Sequence, residues 1–293
     1  MKQIQLKAYG KINLFLEVCE KRSDGYHNID TIMHSIGLHD VVAVSVTTAK
    51  QTKISLTCSC PNTPTDSKNT AYRAARGFCN ATDLSLTVDI HIEKHIPSKA
   101  GLGGASADAA AVLCGLNKLM DHPLSEKDLL DVGATIGADV PFCIVGKCAK
   151  ATGIGEIMTP LPVLPPCYIV IGKGGTGVST AKAYAGLPLR EKYKSSEDFA
   201  DALGKGDFAD MAKHSYNAFE SVMVKDSKRI KKILSDAGAN VTLLSGSGSA
   251  VYGLFECPDM GKQAANALSA QGFFSYFGEI GQDAGSYSNI KEN

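Results

Sequence analysis

The sequence lacks a net charge, tryptophan and any apolar run of membrane-spanning length. Its 293 residues carry 30 lysines and arginines against 30 aspartates and glutamates. A neutral balance argues against proteins that bind nucleic acids or membrane surfaces, because these normally have a basic excess. The first residues have no signal-peptide core. We therefore expect a cytoplasmic protein that binds a small molecule and neither nucleic acid nor membrane, and the sequence leaves its oligomeric state open.

Cysteine pairs with the spacing of a metal or redox site are also missing. Nine cysteines are spread along the chain, and only Cys58 with Cys60 and Cys143 with Cys148 lie close together. Neither pair has the two-residue spacing of zinc or thioredoxin sites, and the histidines show no metal-ligand spacing on a shared element. We predict reduced thiols and no fixed metal site made by the protein alone.

The order of the predicted elements indicates an α+β architecture with two domains. Strands and helices interleave without a regular βαβ rhythm, and four prolines within residues 160–166 mark a boundary. We predict domains at 1–160 and 161–285 and a polar tail at 286–293. Strand patterns cover residues 4–18, 38–57, 84–92, 168–171 and 241–244, and helical patterns cover residues 69–78, 105–120, 125–136, 195–203 and 206–236.

Gly101, Gly103 and Gly104 precede the long apolar helical run, in a segment that can curl around an anion. Glycines lack Cβ, and the following helix offers free N–H groups and the positive end of its dipole. Ser106 and Asp108 at the helix start favour this interpretation over a tight packing turn. The GxxG clamp of a nucleic-acid module is a third alternative, but such loops carry basic residues where this one has leucine and glycine.

Two common nucleotide-binding motifs give little support for a nucleotide site. The Walker pattern does not occur, and the Rossmann pattern occurs once, at residues 172–177, directly after an apolar strand. Residues 178–180 begin a helix poorly, and the nearest carboxylate beyond them, Glu191, does not follow a strand. A flexible turn is the favoured interpretation of this segment.

Three further segments indicate a functional site only when they are considered together. Lys11 precedes an apolar strand, and Asp139 lies in the sequence Gly-Ala-Asp-Val-Pro-Phe at 137–142. Taken singly they would be a solvated lysine and a turn aspartate. A carboxylate near a bound hydroxyl can act as a general base, and a lysine beside it would keep it ionised. Ser-Gly-Ser-Gly-Ser at 245–249 is either a hairpin turn or a second loop around the same anionic ligand.

Five segments together resemble the GHMP small-molecule kinases. They span nearly the whole chain in register: Lys-Ile-Asn-Leu-Phe-Leu at 11–16, Lys-Arg-Ser-Asp-Gly-Tyr-His at 21–27, the glycine loop at 97–107, and the segments 137–142 and 245–249. The first, second and fourth are most similar to family members that phosphorylate the 2-hydroxyl of 4-diphosphocytidyl-2-C-methyl-D-erythritol, in the non-mevalonate isoprenoid pathway. The resemblance implies a two-domain GHMP kinase fold with the active site in the interdomain cleft. Its ATP-binding domain at 1–160 would be ribosomal-protein-S5-like, followed by a C-terminal GHMP kinase domain at 161–285.

The resemblance also implies ATP and Mg²⁺ as cofactors and a role for individual residues. Asp139 would take the hydroxyl proton, and Lys11 would keep that carboxylate ionised. ATP would contact Pro97, Ser98, Lys99, Ala100, Gly101, Leu102, Gly103, Gly104, Ala105, Ser106, Ala107 and Asn69. The acceptor would contact Asn13, Tyr26, His27, Met33, Thr180 and Tyr184, and the second glycine loop contains Gly246, Ser247 and Gly248. Magnesium would arrive with ATP and lie near Ser106.

The chain departs from the family pattern at a few positions. Ala105 and Ala107 stand where glycine and serine are common, Lys99 stands where a small residue is usual, and Met33 occupies an often aromatic position. Two alternatives stay open. Another GHMP kinase, acting on a sugar, homoserine or mevalonate-type alcohol, is disfavoured by residues 26–27. A ribosomal-protein-like binding module without activity is disfavoured by the neutral charge and by the carboxylate in 137–142.

Overall fold

The computed structural model describes residues 1–188 and 193–280, which form two sheets and their covering helices. The strands are β1 (Lys2–Lys21), β2 (His27–Thr48), β3 (Lys53–Cys58), β4 (Leu86–Glu93), β5 (Cys148–Thr152), β6 (Ile157–Pro160), β7 (Cys167–Lys173), β8 (Tyr216–Asn217), β9 (Val241–Leu244), β10 (Val251–Phe255) and β11 (Phe274–Ile280). The helices are α1 (Thr70–Thr82), α2 (Gly104–Leu119), α3 (Glu126–Ile136), α4 (Val140–Val145), α5 (Thr180–Ala185), α6 (Glu197–Lys205), α7 (Phe208–His214), α8 (Lys225–Asp236) and α9 (Pro258–Ala270), with a 3₁₀ turn at Ala218–Val222. The predicted tail at 286–293 lies outside the described residues.

The first sheet has the order β3-β4-β2-β1-β8, with β5 paired to β2 and β6 paired to β5. The long antiparallel pair β1–β2 changes register between Tyr9 and Lys11 and again between Asn13 and Phe15. Irregularities of this kind change the direction in which side chains point, and they are common next to functional sites. Because side chains alternate along a strand, Lys11 and Asn13 emerge on the same face of the sheet.

Helices α1 to α4 pack around the first sheet, and α2 is buried along almost its whole length. Its many alanines leave room for α1 and α4 on one side and for β1 on the other. The second sheet has the order β11-β7-β10-β9 and packs against α8 and α9. None of the helices in the described ranges is long and apolar enough to cross a membrane.

The predicted elements are partly confirmed. Helix α3 begins at the Ser125 cap, whose side chain forms a reciprocal capping box with Asp128. The predicted helix at 206–236 is wrong, because α7, β8, the 3₁₀ turn and α8 replace it. Asn217 breaks the helical pattern by pairing in β8 and by donating its side-chain N–H groups to the carbonyls of Leu244 and Gly246 (2.7 and 2.9 Å). The strand predicted from residue 38 begins earlier, at His27.

The two halves of the chain share a sheet. Strand β8 lies beyond the proline-rich segment 160–166, yet it pairs in parallel with β1 through Phe15–Tyr216. The two-domain fold holds, while the division into 1–160 and 161–285 remains a prediction, with residues 189–192 and 281–285 outside the described ranges.

Candidate active site

The two glycine loops lie against each other. The Ser245 hydroxyl donates to the Gly101 carbonyl (3.0 Å), and the Ala250 N–H donates to the Ala100 carbonyl (3.0 Å). Gly101 has φ of +79°, and a Cβ there would lie 2.0 Å from the Ser245 carbonyl oxygen. Only glycine permits this backbone conformation and this approach. The loops that are 144 residues apart in the chain therefore form one wall.

The glycine loop that precedes α2 places the N-terminus of this helix at the wall. Gly103 caps the helix in the left-handed conformation, with φ of +71° and no side-chain cap. The first N–H groups of the 16-residue helix therefore have no intrahelical partner and face the loop. A Cβ at Gly103 would lie 2.9 Å from Cγ of Lys11, so the helix start sits directly on that lysine. Such an arrangement attracts a phosphate group.

Lys11 and Asp139 meet at this helix start. Lys11 is buried, with 4 % of its surface exposed. Its Nζ lies 3.4 Å from Oδ2 of Asp139, whose side chain is 39 % exposed. Asp139 precedes α4 without capping it, so the carboxylate stays available for other contacts. The pair is thus a buried cation beside an accessible carboxylate, which suits a base that must reach a bound hydroxyl.

Asn13 holds the lysine and the second glycine loop together. Its Oδ1 accepts hydrogen bonds from Lys11 Nζ (2.8 Å) and from the Gly246 N–H (2.9 Å). Its Nδ2 donates to Thr31 Oγ1 (2.9 Å), and that hydroxyl donates to the Phe15 carbonyl (2.6 Å). The implied substrate residue therefore also fixes the orientation of Lys11, a function that the sequence did not indicate.

A cavity of about 620 Å³ extends from this centre in two directions. Among the residues implied to bind nucleotide, 97–106 and Asn69 line it, whereas Ala107 is buried beneath the loop. Asn69 caps α1 by accepting the Ala71 N–H (2.8 Å). Ala105 is exposed, and its carbonyl accepts a hydrogen bond from Thr70 Oγ1 (2.6 Å). Ala105 thus keeps a backbone contact with α1, and Ala107 is buried in the core beneath the loop.

The opposite end of the cavity is aromatic. Met33, Thr180 and Tyr184 line it, and the Thr180 hydroxyl lies 3.3 Å from that of Ser247. The rings of Tyr184 and His27 have centroids 5.1 Å apart. Burial raises the pKa of Tyr184 to about 12, so the phenol stays neutral. This end offers a flat surface suited to stacking with a heterocyclic base.

Besides Ala107, three of the implied residues do not line this cavity. Tyr26 is 61 % exposed on the turn after β1 and does not line the cavity, and neither does His27. Gly248 faces a smaller neighbouring cavity of about 260 Å³. Phe219 lines both cavities and packs edge-on against Tyr184, with centroids 4.9 Å apart. It was missed because it fell within the helix wrongly predicted at 206–236.

A buried charge cluster at the base of the loop was also missed. Lys94 Nζ contacts the carboxylates of Asp40 and Asp108, the latter at 2.7 Å. Asp40 also accepts the backbone N–H groups of His95 and Ile96 (2.5 and 2.8 Å). The cluster therefore ties the segment that enters the glycine loop to the helix that leaves it. Burial raises the pKa of Asp108 to about 7, and this effect outweighs the attraction of Lys94.

Comparisons with known proteins agree with this geometry. The family model for the GHMP kinases N terminal domain matches residues 69–147, and that for the GHMP kinases C terminal matches residues 199–273. A protein of Caldicellulosiruptor bescii named 4-diphosphocytidyl-2-C-methyl-D-erythritol kinase is 43 % identical over 257 residues, which are 86 % of this chain and 89 % of that protein. A protein of Alkaliphilus metalliredigens with the same name is 39 % identical over 274 residues, 92 % of this chain and 94 % of the other.

Solved structures point the same way. A crystal structure of 4-(cytidine 5'-diphospho)-2C-methyl-D-erythritol kinase matches with a TM-score of 0.79 and 33 % identity, over 95 % of this chain and 99 % of that one. Homoserine kinase from Cytophaga hutchinsonii matches with a TM-score of 0.71 over 96 % of this chain and 95 % of its own. Because this second match has only 18 % identity, it supports the fold alone.

Proposed function

Because the chain belongs to the GHMP kinase family, and within it to the 4-diphosphocytidyl-2-C-methyl-D-erythritol kinases, we propose that it transfers the γ-phosphoryl group of ATP to the 2-hydroxyl of that cytidylated alcohol. The reaction is a step of the non-mevalonate isoprenoid pathway, which we assign to the cytoplasm. One observation carries the proposal: the Lys11–Asp139 pair lies at the start of α2, where the glycine loop at 97–104 opens into the cavity. We also propose that 1–160 binds ATP and that 161–285 completes the cleft.

In this mechanism Asp139 accepts the proton of the 2-hydroxyl. The hydroxyl oxygen bonds to the γ-phosphorus, the bond from that phosphorus to the β–γ bridging oxygen breaks, and ADP leaves. Lys11, 3.4 Å from the carboxylate, offers positive charge to the reacting oxygens. Transfer is direct, and catalysis comes mainly from positioning and electrostatics.

The N–H groups of the loop and of the first turn of α2 would hold the ATP phosphates. Oxygen ligands suit a hard divalent cation, and the Ser106 hydroxyl, which lines this cavity, would help to hold magnesium. When bound with ATP, magnesium supplies charge neutralisation on the phosphates. In the described part of the chain no group of three or more acidic, histidine or cysteine side chains could hold a metal ion.

The aromatic end would receive the cytidine. Tyr184, which contacts His27 and Phe219, lines the cavity, and Met33 lines the same cavity. Tyr26 lies next to His27 on the exposed turn, from which it would cover the base.

The test follows ADP release with ATP, magnesium and the cytidylated acceptor. We expect release with this acceptor and not with homoserine, mevalonate or a sugar, and the opposite preference would overturn the assignment. Asp139→Asn should abolish turnover while ATP binding, measured by titration calorimetry, persists. Asp131→Asn is the matched control, because Asp131 forms an exposed pair with Lys127 on α3 away from the cavity. Undiminished turnover in the Asp139 variant would exclude its role as base.

A further inference from the structure

Four lysine side chains line the main cavity, and they differ in their partners. Lys11 and Lys94 are held by Asp139 and by the Asp40–Asp108 cluster. Lys68 and Lys99 line the cavity too, and no carboxylate within residues 1–188 and 193–280 forms an ion pair with either ammonium group. Lys68 precedes Asn69 at the start of α1, whereas Lys99 lies in the glycine loop itself. Lys99 therefore brings an uncompensated cation to the phosphate-binding wall.

The backbone of Lys99 is held in place from the other half of the chain. Lys99 has φ of +53°, a conformation that is uncommon for residues other than glycine. Its carbonyl accepts the Val178 N–H (3.4 Å), and a Cβ at Gly177 would lie 2.9 Å from Lys99 Cβ and 3.3 Å from its Cδ. The glycine turn at 174–177 thus packs against the aliphatic stem of Lys99. The same turn leads through residue 179 into α5, which carries Thr180 and Tyr184.

Lys99 consequently stands at the junction of two binding regions. On one side is the loop for the ATP phosphates, and on the other is the segment leading to the aromatic end of the cavity. Both substrates of the proposed reaction bring phosphate groups here, ATP through its chain and the acceptor through its diphosphate. An exposed ammonium group on a flexible stem suits either set of oxygens.

We propose that the Lys99 ammonium binds a phosphate oxygen at the junction of the two substrates and is a specificity-determining residue for the proposed reaction. The inference rests on the proposed function, since it needs two phosphate-bearing substrates.

The test compares Lys99→Met with Lys147→Met. Lys147 is also an exposed lysine in the left-handed conformation, with φ of +62°, but it lines a separate cavity at the far end of α4. We expect Lys99→Met to raise one KM by about tenfold, as for loss of a charge-assisted hydrogen bond, and to weaken the salt dependence of kcat/KM. Lys147→Met should change neither, and Lys99→Arg should restore most of the affinity.

The two KM values distinguish the source of the phosphate. A rise confined to ATP, matched by weaker ATP binding in calorimetry without acceptor, assigns Lys99 to the nucleotide. A rise confined to the acceptor assigns it to the diphosphate. Wild-type KM values and salt dependence in Lys99→Met would overturn the inference while leaving the proposed function intact. A wild-type chain that releases no ADP with the cytidylated acceptor would instead overturn the proposed function. Thermal unfolding of each variant confirms that a folded protein is compared.

Discussion

The contact between the two glycine loops makes a quantitative prediction at Gly101. In Gly101→Ala the new Cβ would start 2.0 Å from the Ser245 carbonyl oxygen. Real Cβ contacts are longer than 3.0 Å, so the loops must separate by about 1 Å or more, because packed backbone cannot compress. Separation breaks the bonds from Ser245 Oγ and from the Ala250 N–H, each worth about 1 kcal/mol net. The left-handed backbone adds roughly 1–2 kcal/mol.

We therefore expect Gly101→Ala to lower the free energy of unfolding by about 3–4 kcal/mol. Misplacement of the phosphate loop by about 1 Å should also lower kcat/KM for ATP by roughly 100-fold. Urea unfolding and steady-state kinetics measure the two effects.

Gly272→Ala is the matched control for this prediction. Gly272 has φ of +76°, close to that of Gly101, but no atom lies within 4 Å of a Cβ built there. It should show only the backbone cost of roughly 1–2 kcal/mol and unchanged kinetics. Equal effects of the two substitutions on stability and on kcat/KM would refute the argument that contact between the loops shapes the site.

Two further predictions concern buried titratable groups. Burial lowers the pKa of His34 to about 4, and its Nε2 accepts the Leu164 N–H (3.1 Å). The unfolded chain binds a proton at His34 more readily than the folded protein does. The contribution of neutral His34 to stability should therefore be complete above pH 6.5, and the free energy of unfolding should fall by up to roughly 3 kcal/mol as the pH drops towards 4. His34→Gln should flatten this pH dependence in urea unfolding, and an unchanged slope would contradict the assignment to His34. Asp40→Asn should cost about 2–4 kcal/mol, because Asp40 accepts two backbone N–H groups and Lys94. Asp108→Asn should cost less, about 1 kcal/mol, because its Oδ2 contacts Lys94 whereas its buried Oδ1 has no hydrogen-bond partner in the described part of the chain. A reversed order in thermal unfolding would contradict the arrangement of the cluster.

The resemblance to the GHMP kinases, taken from five short segments, is confirmed by the family models, by the curated relatives and by the fold. These segments are readable because glycine, serine and turn sequences act locally: glycines before an apolar run predict a helix start wherever the chain later places it. The helix predicted from residue 125 was readable for the same reason, because its cap is formed by neighbouring residues. The error at 206–236 arose where helical periodicity competed with a distant partner, since Asn217 donates hydrogen bonds to the carbonyls of Leu244 and Gly246.

What the sequence by itself determined is the candidate chemistry of each segment: a candidate anion-binding helix start, a candidate base, a candidate cation and a second glycine loop. Only the tertiary structure decided which of them meet. Lys11 and Asp139 are brought to 3.4 Å by a register change in β1 and by the start of α4. The Lys94 cluster and the contact between the loops depend on pairings far apart in the chain. Local conformational preferences act over a few residues, whereas such long-range contacts depend on packing of the whole chain, and no local pattern can encode them.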